Sequence, residues 1–415
     1  MSAWGAFIGL LVSIFLIIRK VSPVYSLILG ALVGGLLGGV SLPETISLMI
    51  SGVNDVTPAV IRIWTAGVLS GILVKTGAAA SISNTIIYRL GERHVFFALA
   101  FATMLLTAIG VFIDVAVITV APIALSIGRK LAVPRGSLLL MMIGGGKCGN
   151  IISPNPNTII AAENFHADLY SVMYANLIPA LVGLLFTVYV IGRFLPRQNG
   201  FYANEEIDNL QADLPSFASS MVAPVVTILL LSFRPLFHVA IDPMIALPVG
   251  GIVGILAMRK WSLITASLSY GLKKMSNVSI LLVGTGTIAG VIKASSIKDV
   301  LLDALSHTNM GELLLAPVSG VLMSAATAST TAGATVASSS FADIIIAAGI
   351  SGVWGAAMIN SGATVLDHLP HGSFFHATGG VADISIRERL RLIPYETAIG
   401  AILAIGTIIA YLTVN

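Results

Sequence analysis

Apolar runs about as long as a bilayer core is thick, set between basic pairs, leave this chain few ways to fold. They lie near 3–18, 24–40, 58–76 and 169–191, and again near 220–233, 241–258, 276–293 and 394–412. About 20 apolar residues carry a helix across the hydrocarbon. Hydrophobic residues make up 56% of the 415, charged ones only 10%, and mean hydropathy is +0.96. A soluble domain carries about 25% charged residues and could not hide so much apolar surface. A soluble globular protein, a disordered chain and a nucleic-acid binder are thereby excluded, the last because a net charge of +3 with no basic stripe offers no phosphate footprint. One cysteine, Cys148, rules out an intramolecular disulfide and a cysteine metal cage. The composition fits an all-α polytopic membrane protein.

Four further segments reach membrane depth without reading as simple spans. The stretches 135–166 and 350–375 are apolar at both ends and interrupted by Gly, Pro and Asn, and are expected to be broken helices. The stretches 95–128 and 311–347 are long enough to enter the bilayer and turn back, as re-entrant hairpins. The first run ends at Arg19-Lys20 and has neither a basic start nor a small-residue cleavage site, so it reads as a retained span.

The basic residues agree with this plan. Arg19/Lys20, Arg89/Arg93, Arg129/Lys130/Arg135, Arg193/Arg197, Arg259/Lys260/Lys273/Lys274 and Arg387/Arg389/Arg391 hold 16 of the 22 lysines and arginines. All fall on one side if both hairpins turn back, and they would alternate sides if either crossed. The positive-inside rule then puts both termini outside, with Arg234 and Lys298 among the few basic residues there. The polar stretch 192–219 reads as a cytoplasmic linker between 1–191 and 220–415, and the order of elements repeats on either side of it. Because the halves start in opposite directions, two inverted-topology repeats are expected. Secondary transporters are built this way and bind solute near the midplane, where helices break.

Helix-breaking, hydroxyl and amide residues gather at the hairpin tips, 110–114 and 327–335, and at the breaks, 150–158 and 360–373. Irregular backbone at this depth must be buried in protein or line a wet cavity. Freed N–H groups at half-helix starts suit an anion, and hydroxyls and amides suit a hydroxylated one. Ser153, Asn155, Asn157, Thr158, Ser329, Thr330, Thr335, Asn360, Ser361 and Ser373 are therefore the candidate solute ligands. Ser/Thr-rich runs also serve close helix packing, which is the structural alternative for 327–335.

Asp114, Asp367 and His368 are the candidate proton-coupling groups, because a carboxylate at membrane depth is costly and histidine changes charge near neutral pH. The alternatives are a carboxylate capping the second hairpin arm and a cluster that merely meets water at an inner mouth. Lys147 is the candidate charge partner, for a solute or for Asp114 or Glu163. Arg62 reads as an outer-interface residue. The spacing His368-x-x-His371 lacks a paired acidic or cysteine set, so no metal and no cofactor are expected.

Several of these stretches resemble the gluconate permease family of proton symporters. Phe112-Ile113-Asp114-Val115-Ala116-Val117, ending at Ala121-Pro122, is similar to that family's hairpin motif. Ser153-Pro154-Asn155-Pro156-Asn157-Thr158, followed by Ala161-Ala162, resembles its Pro-rich break, with Asn155 where the family has histidine. Gly333-Ala334-Thr335-Val336-Ala337 and the run from Asn360 to Phe374 resemble its later motifs. The resemblance implies a multi-pass protein of a bacterial-type cell membrane, no enzyme, that carries gluconate, another sugar acid or D-serine with protons. A sodium-coupled di- or tricarboxylate carrier of the wider ion-transporter superfamily is the alternative. An intramembrane enzyme built on Ser373 with His371 or His376 is a rival of another class, without an oriented triad to support it. The Gly-rich face of 24–40 is expected to serve a homodimer contact.

Overall fold

The computed structural model describes residues 1–195, 214–233, 239, 241–297, 300, 311–370 and 372–414. Most of the linker, with Arg197, and the residues Arg234, Lys298 and His371 lie outside the described residues. Every regular element among the described residues is helical. In order come α1 (Ala3–Ile18), α2 (Pro23–Leu37), α3 (Leu42–Lys75), α4 (Ala78–Leu90), α5 (Val95–Ala108), α6 (Ile113–Leu131), α7 (Arg135–Asn150), α8 (Pro156–Asn164) and α9 (Leu169–Phe194). After the linker follow α10 (Phe217–Leu231), α11 (Pro243–Ala257), α12 (Ile264–Lys293), α13 (Gly311–Thr327), α14 (Thr330–Ala347), α15 (Gly352–Gly362), α16 (Ser373–Val381) and α17 (Ile386–Val414).

Two spans are longer than the apolar pattern gives. The run 58–76 is only the end of α3, which has 34 residues and extends about 51 Å. Pro58 sits inside it, and the polar turns before Pro58 look like a loop in sequence. The run 276–293 likewise ends the 30-residue α12. The two helices lie antiparallel at glycine distance. An added Cβ on Gly67 would meet the Gly271 backbone at 3.0 Å, and Gly52 faces Gly286 and Gly290. Small residues let backbones close up where lipid supplies no hydrophobic drive between helices.

The glycine face of α2 is used in the same way. Gly30, Gly34 and Gly38 pack on Gly9, Gly5 and Met1 of the α1 segment. That face is covered by the chain itself, so the expectation of a homodimer contact through it is corrected.

Both expected hairpins are helix pairs joined by short turns. Gly110, at φ +102°, lies between α5 and α6, and Ala328, at φ +46°, between α13 and α14. Gly333 packs on Ser324, so α14 folds back along α13. Helix α4 meets the α5 segment at a bend of 102°. One interruption falls at 151–155, between α7 and α8, and the other between Gly362 at the end of α15 and Ser373 at the start of α16. At the first, Pro154 and Pro156 remove backbone donors and Asn155 caps the restart through Thr158 N–H.

Candidate functional site

Four helices begin around one cavity of about 210 Å³. Ile113 and Asp114 at the start of α6, Asn157 of α8, Thr330 and Thr331 of α14, and Ser373 and Phe374 of α16 all line it. Phe112, Asn150, Ser329 and Asp367 complete most of the wall. Each helix start carries unsatisfied N–H groups and about half a positive charge. Asn155 and Ser329 cap α8 and α14, whereas the starts of α6 and α16 have no side-chain cap. Free amides of two helices therefore sit where an anion can be received. The volume is below the roughly 300–1,000 Å³ of sites for drug-sized ligands.

Behind this wall lies a buried charge cluster. Lys147 Nζ donates to Asp367 Oδ1 at 2.5 Å and to the Thr364 carbonyl at 2.5 Å, and it lies 3.0 Å from His368 Nδ1. All three side chains are buried, at 0%, 3% and 0% exposure for Lys147, Asp367 and His368. An ammonium has three donors and no acceptor, so His368 Nδ1 accepts and its ring proton sits on Nε2. Nε2 lies 3.2 Å from the Ile393 carbonyl and 3.2 Å from Thr397 Oγ1. The other Asp367 oxygen accepts from Thr330 Oγ1 at 2.5 Å, which ties the cluster to the start of α14.

An amide network joins the two breaks. Asn157 Nδ2 donates to Asn360 Oδ1 at 2.8 Å, and Asn360 Nδ2 donates to Thr158 Oγ1 at 3.0 Å. Asn155 Nδ2 donates back to Asn150 Oδ1 at 2.6 Å. Asn176 of α9 donates to the carbonyls of Ile151 and Ala357, one from each broken helix segment, both at 3.3 Å. Buried amides of this kind fix a unique arrangement because each unmade bond is costly.

Helices α8 and α14 run parallel from this cavity. Thr331 meets Asn157 at 3.4 Å, and Asn164 Nδ2 donates to Ser338 Oγ at 2.8 Å, the partners being 174 positions apart in both pairs. Their far ends line a second cavity of about 440 Å³, together with Gly52 and Asp55 of α3 and Lys293 of α12. Near it Arg62 pairs with Glu163 and with Asp242, the latter at 2.7 Å. The guanidinium holds the Asp242 carboxyl below the usual carboxylate range.

The candidate residues thus fall into three sets. Asp114, Asn157, Ser329, Thr330, Asp367 and Ser373 line the first cavity. Asn155, Thr158, Asn360, Lys147 and His368 stand behind it in the hydrogen-bond networks. Ser153, Thr335 and Ser361 are buried away from it: Thr335 and Ser361 bond to carbonyls of their own helices, and Ser153 Oγ has no partner among the described residues.

Three pairings differ from the sequence expectation. Lys147 meets Asp367, because α7 ends against the second break, and neither Asp114 nor Glu163. Asp114 instead pairs with Lys274 at 3.2 Å, and Glu163 with Arg62. Arg62 is therefore engaged in a three-element ion pair and is no simple interface residue. Arg389, placed by sequence in a one-sided basic cluster, is buried against Glu396 and over Phe375. Asn150, Thr331 and Phe374, in or next to the stretches singled out in the sequence, also line the cavity. Lys274 was hidden in a basic cluster.

Comparison with known proteins gives a consistent picture. The model of the family described as "GntP family permease" matches residues 1–414. A Haemophilus influenzae protein described as an uncharacterized transporter is 53% identical over 404 residues, covering 97% of this chain and 96% of its own. A high-affinity gluconate transporter of Escherichia coli K12 is 22% identical over 400 residues, covering 89% and 90%. The crystal structure of the Alcanivorax borkumensis YdaH transporter, described as having an unusual topology, superposes with a TM-score of 0.65 at 13% identity, over 89% of this chain and 88% of that one.

Proposed function

The chain belongs to the GntP permease family, is a multi-pass membrane transporter and no enzyme, and from that premise we propose that it carries a small hydroxy-carboxylate, gluconate or a related sugar acid, in symport with protons across a bacterial cell membrane. The observation that carries this reading is the meeting of four helix N-termini in one small cavity whose wall is rich in hydroxyls and amides. The name of the E. coli gluconate transporter supports the solute class.

In this reading the solute carboxylate rests against the uncapped starts of α6 and α16. Its hydroxyls meet Ser329, Thr330, Asn157 and Ser373, while Asn155, Thr158 and Asn360 hold those groups in position. Lys147 neutralises Asp367 so that the buried carboxylate does not repel the solute. Proton coupling is assigned to the titratable groups on or behind this wall, Asp114, Asp367 and His368. The residues 1–191 and 220–415 are taken as inverted-topology repeats that each supply one hairpin and one broken helix, and exchange between the two cavities as alternating access.

Uptake into proteoliposomes tests the reading. Saturable accumulation of labelled gluconate or another sugar acid, driven by an inward proton gradient and indifferent to sodium, is the expected result. Accumulation that requires sodium would move the chain to a sodium-coupled mechanism. No transport of any sugar acid would overturn the assignment of solute class.

A further inference from the structure

Among the described residues, two lysines bond to side chains in the wall of the smaller cavity: Lys147 to Asp367 and Lys274 to Asp114. Lys147 cannot greet an incoming anion. It is fully buried and its three donors are taken. Lys274 differs on both counts. Its side chain is 37% exposed, its one salt-bridge partner among the described residues is the 31% exposed Asp114, and their contact is 3.2 Å. The lysine stands on α12, which is zipped to α3 through glycines, whereas Asp114 stands on the first turn of α6.

Resting on the reading of this cavity as a hydroxy-carboxylate site, we propose that Lys274 is the anchor for the solute carboxylate, and that the solute displaces Asp114 from it, leaving Asp114 to take up the co-transported proton. The charge balance is closed. Before binding, Lys274 and Asp114 cancel. Afterwards Lys274 and the solute carboxylate cancel, and Asp114 carries an O–H formed with a proton from water. One anion and one proton enter together, and the site's net charge does not change. A carboxylate that loses its cation and gains an anionic neighbour holds a proton more tightly, so solute binding itself drives protonation.

The surroundings of Asp114 add little that competes. Helix α12 brings Lys274 and the Tyr270 phenol, which feels both charges. Across the cavity stands Asp367, already matched by Lys147, with His368 behind. The cavity residues from α7, α8, α14 and α16 carry no titratable group.

Calorimetric titration of the purified chain with gluconate and with glycerate, at neutral pH in two buffers of different ionisation enthalpy, reads affinity and proton uptake together. The wild type is expected to take up about one proton per solute bound. Asp114→Asn is expected to bind with no proton uptake. Lys274→Gln is expected to bind on the order of tenfold more weakly, and Lys274→Arg to recover part of that loss. Proton uptake that persists in Asp114→Asn, or wild-type affinity in Lys274→Gln, overturns the exchange while leaving the solute class standing. A wild type that binds neither acid sinks both readings. Should Asp114→Asn fail to fold by size exclusion, Lys274→Gln decides alone: affinity and proton uptake lost together support the exchange, and both retained refute it.

Discussion

Lys147 Nζ lies 2.5 Å from Asp367 Oδ1, and the pair spans the two halves of the chain with neither side chain open to solvent. Such a pair stabilises little against an apolar substitute, but breaking it strands a buried charge. Lys147→Met is therefore expected to cost about 3–5 kcal/mol, and Lys147→Met/Asp367→Asn to recover much of that. Thermal unfolding of the detergent-solubilised variants measures both. Equal melting temperatures for wild type and single variant would mean that Asp367 is neutral in the folded protein.

The amide bridge between the breaks gives a second expectation. Asn360 accepts from Asn157 and donates to Thr158. Asn360→Ala leaves the Asn157 amide without its acceptor, at a cost of about 1–3 kcal/mol. Uptake assays should give a raised KM, since Asn157 lines the cavity. A KM equal to that of wild type would detach the network from solute binding.

Glycine contact between α3 and α12 makes a prediction about folding alone. A side chain at Gly271 would collide with the Gly67 carbonyl of the facing helix. Gly271→Val should cost about 1–3 kcal/mol or more, because backbone cannot yield as a side chain does. Loss of the monodisperse peak in size exclusion, or a lowered melting temperature, is the readout.

The Arg62–Asp242 pair predicts acid sensitivity. Asp242 titrates lower when folded than its free value of about 4, so its contribution is fully present above that value and is lost as pH falls through the folded one. Melting temperatures taken from pH 6 down to 3 should fall more steeply for wild type than for Arg62→Gln. Parallel curves would show that the pair contributes nothing.

Cys148 is buried, which makes the second cavity readable by thiol chemistry. Wild type should resist a charged, membrane-impermeant methanethiosulfonate, and Ser339→Cys, on the wall of the larger cavity, should react. The side of a sealed vesicle from which it reacts reports which face this cavity serves. No reaction from either side would contradict an open vestibule.

Much of this was fixed by residue type. Charge scarcity and bilayer-length apolar runs leave only a polytopic helical protein, because unpaired backbone groups cannot stand in lipid. The prolines at 154 and 156 mark the first interruption because they cannot continue a helix cheaply, and the polar runs at 327–335 and 360–373 lie at the hairpin tip and the second break. What pairs with what was left to the tertiary structure. Lys147 could have met any of several acids, and only the approach of α7 to the second break selects Asp367. Lys274 looked like one more interfacial cation until α12 brought it to Asp114. The length of α3 and the burial of the α2 glycine face were equally hidden, since local pattern records what a residue tolerates, whereas its partner is set by helices that lie far away in sequence.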